Sequence, residues 1–560
     1  MSKITRRGFV KGAALAPLAF TPLTLPQSSS QPGNRYDVVV AGAGHNSFTA
    51  ACYLAKAGYR VVVLEGRPMI GGATKTSELL LSGFHSDVCS CDHGTIQNNP
   101  MLKNDELHLK DYGLEYIFPD PAYHVPFTDG SSITQWNDFD RTCEEIAKHS
   151  KKDAETFRRI ADESEPIKKL TGTNYFTPVG FWKDTGDPLA SHPQGAMWRR
   201  RMLQSTWNNL HQLFESEHVM TFMMVPWPDN VLGPMGGMGA YNRATRNPRS
   251  PLPKGGSGML AVALGRYLEA HNGVVLVNKP VTQLIIEGGK CNGVECADGS
   301  SYRADKAVLS TLHIKHLVNL APKDLWGDEF LEGVESFHIG PAGFNTHYAL
   351  KGPVVYPKAD GSTVMSVHST TLSSPERALR LDVELAVGDV DLEDPVLHVV
   401  LTSAVDPTRA PKGMHVLRIL GREPWKLKAG GPQKWDEIKE KVSAAHLKAV
   451  QRRALNFTDD MILARFITTP LDIYQMNPNA IQGCCHGGTD GPSQAGALRP
   501  VPGWAQYRMP IPGLYQTGGT TYPGFGVSAA PGRNAAWVML KDLGNTTIEE
   551  VTSKKDVSKI

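Results

Sequence analysis

The chain has little of what would mark several common functions. No basic stripe or acidic run stands out: 58 lysines and arginines face 56 acidic residues, for a formal net charge of +2. Residues 1–26 contain Lys3, Arg6, Arg7 and Lys11 and no acid, so +2 less 4 leaves −2 for the rest. That balance argues against a nucleic-acid partner. The eight cysteines, at 52, 89, 91, 143, 291, 296, 484 and 485, form no Cys-x-x-Cys pair. They match neither a zinc site nor a dense disulfide framework, so no metal is expected. Cys89 with Cys91, or Cys484 with Cys485, could oxidise in an oxidising compartment, but the spacing assigns no bond. Long apolar runs are missing too. The best, Gly12 to Leu25, is broken by Pro17 and Pro22 and is too short to span a bilayer.

At 560 residues, with 41% hydrophobic and 20% charged, the sequence reads as a soluble protein of two domains. The N-terminal stretch stands apart from the fold. Thr5-Arg6-Arg7-Gly8-Phe9-Val10-Lys11 precedes the short apolar run, and a polar spacer, Gln27 to Gly33, follows it. A charged n-region, a brief h-region and paired arginines resemble a twin-arginine export signal. Such a signal implies an exported, periplasmic protein that crosses already folded. A retained signal would also act as a membrane tether.

The strongest pattern begins at Arg35. Tyr36 to Ala41 is an apolar run suited to a buried parallel strand, and it enters Gly42-Ala43-Gly44-His45-Asn46-Ser47. A predicted helix, Phe48 to Ala57, is stopped by Gly58, and a second strand, Arg60 to Leu64, ends on Glu65. Strand, glycine turn, helix, strand and acid within about thirty residues form a dinucleotide-binding unit. Gly42 permits the tight turn, Gly44 allows a pyrophosphate to approach, and the helix start offers N–H groups to that anion. Glu65 is placed to accept hydrogen bonds from ribose hydroxyls, which disfavours a 2′-phosphate. The third motif glycine is absent, with Ser47 in its place, loosening the argument for close helix–strand packing. A second glycine-rich unit of this kind is also absent, which argues against a separate nicotinamide domain.

Beyond the acid, Gly66-Arg67-Pro68-Met69-Ile70-Gly71-Gly72-Ala73 carries a glycine pair. This resembles the glycine-doublet flavoprotein superfamily of amine oxidases and phytoene desaturases. In that family the basic residue and the glycine pair lie against the FAD diphosphate and ribityl chain, which implies roles for Gly66, Arg67, Gly71, Gly72 and Ala73. Further strands are expected at 273–278, 281–286 and 304–310, with a hairpin turn at Asp298-Gly299. The resemblance implies a backbone contact from Val281 to the adenine. Near the C-terminus a strand from Ile511 reaches Gly518-Gly519, and Gly526-Val527 opens an alanine-rich helix. A helix start favours the negative charge of a reduced flavin, so Gly526 and Val527 are assigned to the ring and Gly518 and Gly519 to the ribityl and phosphate chain. With Leu498 to Gly503, this segment resembles phytoene desaturase-like oxidoreductases, including those named pyridine nucleotide-disulphide oxidoreductase domain-containing proteins. Tyr522 and Phe525 stand where relatives often carry histidine and glycine.

The expected fold is α/β: a Rossmann-like FAD-binding domain of discontinuous segments with an inserted α+β substrate domain on a mostly antiparallel sheet. The segments are 1–33 (signal), 34–110, 255–320 and 500–545 (FAD-binding), 111–254 and 321–499 (substrate), and a tail, 546–560. The methionine- and glycine-rich stretches Met220–Pro228 and Gly233–Gly239 suit an adaptable apolar pocket or ordinary core. Arg199-Arg200-Arg201 reads as a solvated helix face. Tyr522 and His486 are the candidates for polar groups near the flavin ring, since hydride transfer needs positioning more than a protein base. The resemblance implies an FAD-dependent dehydrogenase or desaturase acting on a hydrophobic or unsaturated small molecule, terpenoid or carotenoid-like. Electrons would go to oxygen, a quinone or a periplasmic carrier. Amine oxidation, redox-neutral double-bond isomerisation and a cofactor-free prenyl-binding escort role are the alternatives.

Overall fold

The computed structural model describes residues 33–553 apart from 173, 183–188, 191, 227–230, 235, 237–240, 249, 490 and 525. The arginine-pair segment and Phe525 thus lie outside the described residues.

One sheet is built on Arg35–Ala41, which pairs in parallel with Val61–Leu64 on one side and with Ser301–Ser310 on the other. Val274–Leu276 extends the first edge in parallel, and Leu514–Gln516 pairs in parallel with the far end of Ser301–Ser310. The near end of that long strand accepts an antiparallel hairpin, Val281–Glu287 with Lys290–Cys296. Val38, Val39, Val40, Val61, Val62 and Val63 are all fully buried, as strands covered on both faces require. Val38 and Val40 face a core shared with the helices His45–Lys56, Met259–Ala270 and Ala530–Gly544. Val39 faces the opposite layer, with Ile314, Trp326 and Phe330. Three segments far apart in sequence therefore make one Rossmann-like sheet, as expected.

The expected elements are displaced by a few residues for local reasons. The first helix starts at His45 rather than Phe48, because Gly44 already has the extended backbone of an N-cap. It ends where expected, at Gly58, whose φ of +96° is left-handed. The turn at Asp298-Gly299 forms, with Asp298 accepting from the N–H and hydroxyl of Ser300.

The second sheet has seven strands in the order Ile462–Thr468, Ala342–Leu350, His415–Glu423, Leu397–Val400, His368–Thr370, Tyr123–Pro126 and Ser132–Gln135. Every neighbouring pair is antiparallel except His368–Thr370 beside Tyr123–Pro126. A helical layer packs on it. There Met220, Met223 and Met224 are buried with Phe157 and Phe222, so these methionines are core and not pocket lining.

Close contact between the helices His45–Lys56 and Ala530–Gly544 rests on Gly532. A Cβ there would run into the carbonyl of Asn46. Asn46 belongs to the glycine-turn helix, so the helix Ala530–Gly544 and the nucleotide turn are fixed to each other by backbone contact.

Candidate functional site

The carboxyl ends of the parallel strands meet at one cleft. Ala41, Leu64, Ser310 and Gln516 are the last residues of their strands, and the chain just beyond each supplies lining residues: Gly42–Asn46, Glu65–Arg67, Thr311–His313 and Gly518–Thr520. Open α/β sheets bind ligands at this edge.

The glycine turn is closed from within. Gly42 has φ +97°, and a Cβ there would lie 2.5 Å from Thr311 Cγ2. Ser47, fully buried, donates through Oγ to the carbonyls of Gly42 at 2.7 Å and Gly44 at 2.9 Å. The serine in the motif's third position therefore ties the turn together. Its hydroxyl stands behind the cleft lining. Ser47→Ala leaves both carbonyls without this donor and should lower stability by about 1–2 kcal/mol. Chemical denaturation of the apoprotein would measure it, and an unchanged midpoint would contradict this role.

Among the described residues no side chain caps the first turn of the helix that follows, so its N–H groups face the cleft as anion donors. The glycine pair is held against this turn. Gly71 N–H donates to Ala43 O at 2.7 Å, and a Cβ on Gly72 would sit 3.2 Å from Gly44 Cα. Gly71 supports the wall from behind, while Gly72 and Ala73 line it.

Glu65 is nearly buried. Its two oxygens accept from the N–H groups of Ala43 and Arg67, both at 3.0 Å, and retain lone pairs toward the cleft. Val281 and Pro280 come alongside because Lys279 N–H donates to Glu65 O at 2.7 Å. Arg67 lines the cleft and donates to the Gln475 carbonyl at 2.9 Å. Lys75 is a second cation there; burial pushes its ammonium pKa down, and the Glu65 carboxylate opposes the fall.

On the opposite wall, Gly518 and Gly519 face Thr311 and the His486 carbonyl. A Cβ on Gly487 would stand 2.9 Å from the Gly519 carbonyl carbon, so two glycines let these segments cross. The fully buried Arg499 holds the crossing by donating to Gly519 O and to Thr489 O at 2.7 Å.

Of the residues predicted from sequence, Gly42, Gly44, His45, Asn46, Glu65, Gly66, Arg67, Gly72, Ala73, Val281, His486, Gly518, Gly519 and Gly526 line this cleft. Two others do not. Val527 packs against the core beneath the helices. Tyr522 is buried with its hydroxyl donating to Asn174 O at 2.8 Å and its ring edge on Trp182, a packing that spends its polar atom on the backbone. Sequence reasoning missed Thr311–His313 and Asn477–Ala480. Asn479 joins these two segments, donating to Thr311 O at 3.0 Å and accepting from His313 N–H at 2.9 Å. The first segment could have been found as the end of the strand beside Arg35–Ala41; the second has no local signal.

The cleft fits a dinucleotide. Its floor is glycine backbone, with no room for a Cβ at Gly42 and a tight, left-handed backbone at Gly72, and it presents cations and free N–H groups on one side of a ribose-facing acid. His45 Nε2, Asn46 Oδ1 and His313 Nε2 are buried polar atoms without a partner among the described residues. Burial holds His45 down to about 4, opposed by a hydrogen bond with the Gly526 backbone, and His313 to about 3, so both are neutral at pH 7.

Comparison with known proteins agrees. The family described as flavin containing amine oxidoreductase matches residues 48–412. Pyridine nucleotide-disulfide oxidoreductase domain-containing protein 2 of Rattus norvegicus is 27% identical, covering 91% of this chain and 94% of its own. One of the subunits of the limonene dehydrogenase of Castellaniella defragrans is also 27% identical, over 91% and 95%. All-trans-zeta-carotene desaturase of Myxococcus xanthus is 24% identical, over 89% and 92%. The chain therefore belongs to the family of flavin containing amine oxidoreductases and is an FAD-dependent oxidoreductase of the phytoene desaturase-like kind.

Proposed function

We propose that this chain is a dehydrogenase or desaturase of a hydrophobic, unsaturated small molecule, terpenoid or carotenoid-like. The observation that carries the reading is end-to-end similarity to a limonene dehydrogenase component and a carotene desaturase, at 27% and 24% identity. Bound FAD supplies the two-electron acceptor. The residues of the chain that would hold that cofactor are Gly44, Gly72 and the helix start for its diphosphate, Glu65 for a ribose and Val281 for the adenine. Gly518 and Gly519 would lie along its ribityl and phosphate chain and Gly526 at the ring, with neutral His45, and with His486, as polar groups of the same lining. Electrons leave to oxygen, a quinone or a periplasmic carrier.

The arginine pair at 6–7 supports export by the twin-arginine route, which suits a protein that must fold around its cofactor first. Helix Gly195–Leu203 carries exposed Met197 and Leu203 with exposed Arg199 and Arg200, a pattern suited to resting on an anionic membrane surface that stores apolar substrates.

Anaerobic mixing of the holoprotein with limonene, carotenoid precursors, primary amines and aromatic alcohols tests the reading. The unsaturated hydrocarbons should bleach the flavin and the amines should not. Bleaching by amines alone would replace this proposal with amine oxidation.

A further inference from the structure

Lys75 lines the cleft, and among the described residues nothing pairs with its ammonium. It stands three residues after Gly72, where an added Cβ would meet Gly44 Cα at 3.2 Å, so this segment is held at the glycine turn. Its neighbours settle which way it points. Thr74 Oγ1 donates to Gly71 O and Thr76 Oγ1 to Asp87 Oδ1, both at 2.7 Å, and both threonines are buried. Val88 N–H donates to Lys75 O at 2.9 Å and pins the backbone between them. Side chains of an extended chain alternate between faces, so Lys75 turns away from that packing and into the cleft.

The other cation of the lining has a partner. Arg67 donates from Nη2 to the carbonyl of Gln475 at 2.9 Å, which draws its guanidinium toward the helix Pro470–Met476. Lys75 has no such outlet. A half-buried ammonium without hydrogen bonds is costly unless an anion meets it. Burial pushes its pKa down, and the Glu65 carboxylate restores it only in part. FAD offers one anionic group, its diphosphate, and the Gly44 turn is built for that group.

We infer that Lys75 is the cationic ligand of the FAD diphosphate, a role the resemblance assigns to Arg67, and that Lys75 carries more of the cofactor's affinity than Arg67 does. Its three N–H donors sit on a flexible stem, which lets them follow phosphate oxygens that the helix-start N–H groups hold from the other side. Arg67 serves instead as a brace between the nucleotide turn and the segment that brings Asn479 to the cleft. The inference concerns how FAD is held and not what is oxidised, so it stands apart from the dehydrogenase reading and survives if that reading fails.

The test titrates the full-length protein, freed of its cofactor, with FAD by flavin fluorescence, and then displaces FAD with ADP or adenosine. Lys75→Met keeps the length of the side chain and removes only the charge. It should weaken FAD and ADP by about 30-fold each, the usual worth of a hydrogen bond to a charged group, and leave adenosine unchanged. Lys75→Arg restores the charge and should stay within about threefold of wild type, as should Arg67→Met. Raising sodium chloride from about 50 to 500 mM should weaken FAD binding more in wild type than in Lys75→Met. Removal of an unpaired charge should leave the melting temperature of the cofactor-free Lys75→Met protein equal to or above that of wild type, which a merely structural lysine would not do. Wild-type FAD affinity in Lys75→Met, an equal loss for adenosine, a lowered melting temperature, or a larger loss in Arg67→Met overturns the inference.

Discussion

Gly44→Ala will purify as a folded but colourless protein. Gly44 has φ −78° and ψ 163°, a conformation open to any residue, and the nearest atom to an added Cβ is Ser47 Oγ at 4.0 Å. The apoprotein therefore meets no strain. The new methyl stands instead in the cleft, at the point where the motif needs bare backbone for a pyrophosphate to approach. Overpacking of that contact and loss of helix-start hydrogen bonds together cost about 3 kcal/mol, roughly a 100-fold fall in FAD affinity. Gly42→Ala cannot separate the two effects, because its left-handed backbone and its contact with Thr311 would disturb the turn itself. The check pairs flavin-fluorescence titration with thermal melting of both apoproteins. Equal melting temperatures with weakened FAD binding are expected. Wild-type affinity in the variant would refute the placement of the pyrophosphate beside Gly44.

Mild acid will unfold the protein. Burial holds His45 and His368 down to about 4, and His93, His124, His313 and His347 to about 3. In the unfolded chain each returns to about 6.5. Above that pH both states are neutral at these sites and stability is flat. Between 6.5 and the folded values the unfolded chain binds protons that the native state refuses, so stability falls as pH falls. At pH 5 one such histidine costs about 2 kcal/mol, and six acting together cost on the order of 10 kcal/mol, comparable with the whole stability of a domain. The melting temperature should be nearly constant from pH 8 to 7, drop steeply below 6.5, and leave little native signal near pH 5. Because His45 and His313 line the cleft, FAD should dissociate over the same interval. A melting temperature at pH 5 equal to that at pH 7.5 would defeat this account.

The nucleotide half was legible because its requirements are local. Gly42, Gly44 and Gly72 answer to backbone conformation and close approach, and the valine runs at 38–40 and 61–63 to burial on both faces. These constraints act within a few residues, so sequence shows them. Ser47 defies the pattern for the converse reason: the usual glycine there signals packing, but a hydroxyl can reach two carbonyls and do a different job in the same space. Tyr522 and Val527 lie close in sequence to the C-terminal glycines, which is what points them at the ring. The actual choice between cleft and core is made by Asn174, Trp182 and the helix core, which lie far away along the chain. Asn477–Ala480 was invisible for the same reason, since bonds from Asn479 to Thr311 and His313, far away along the chain, bring it to the cleft.

Among the described residues the strand Leu514–Gln516 comes last in the chain, yet it pairs beside the strand that flanks the first of them, Arg35–Ala41. Pairings of such long range are slow to form. Until this strand and the glycines after it have been made, a nascent chain lacks one wall of its coenzyme pocket, so flavin capture must await their synthesis. Loading thus doubles as a check that this late segment is in place, and products truncated before it should be recognisable in the cell as pale, protease-sensitive species.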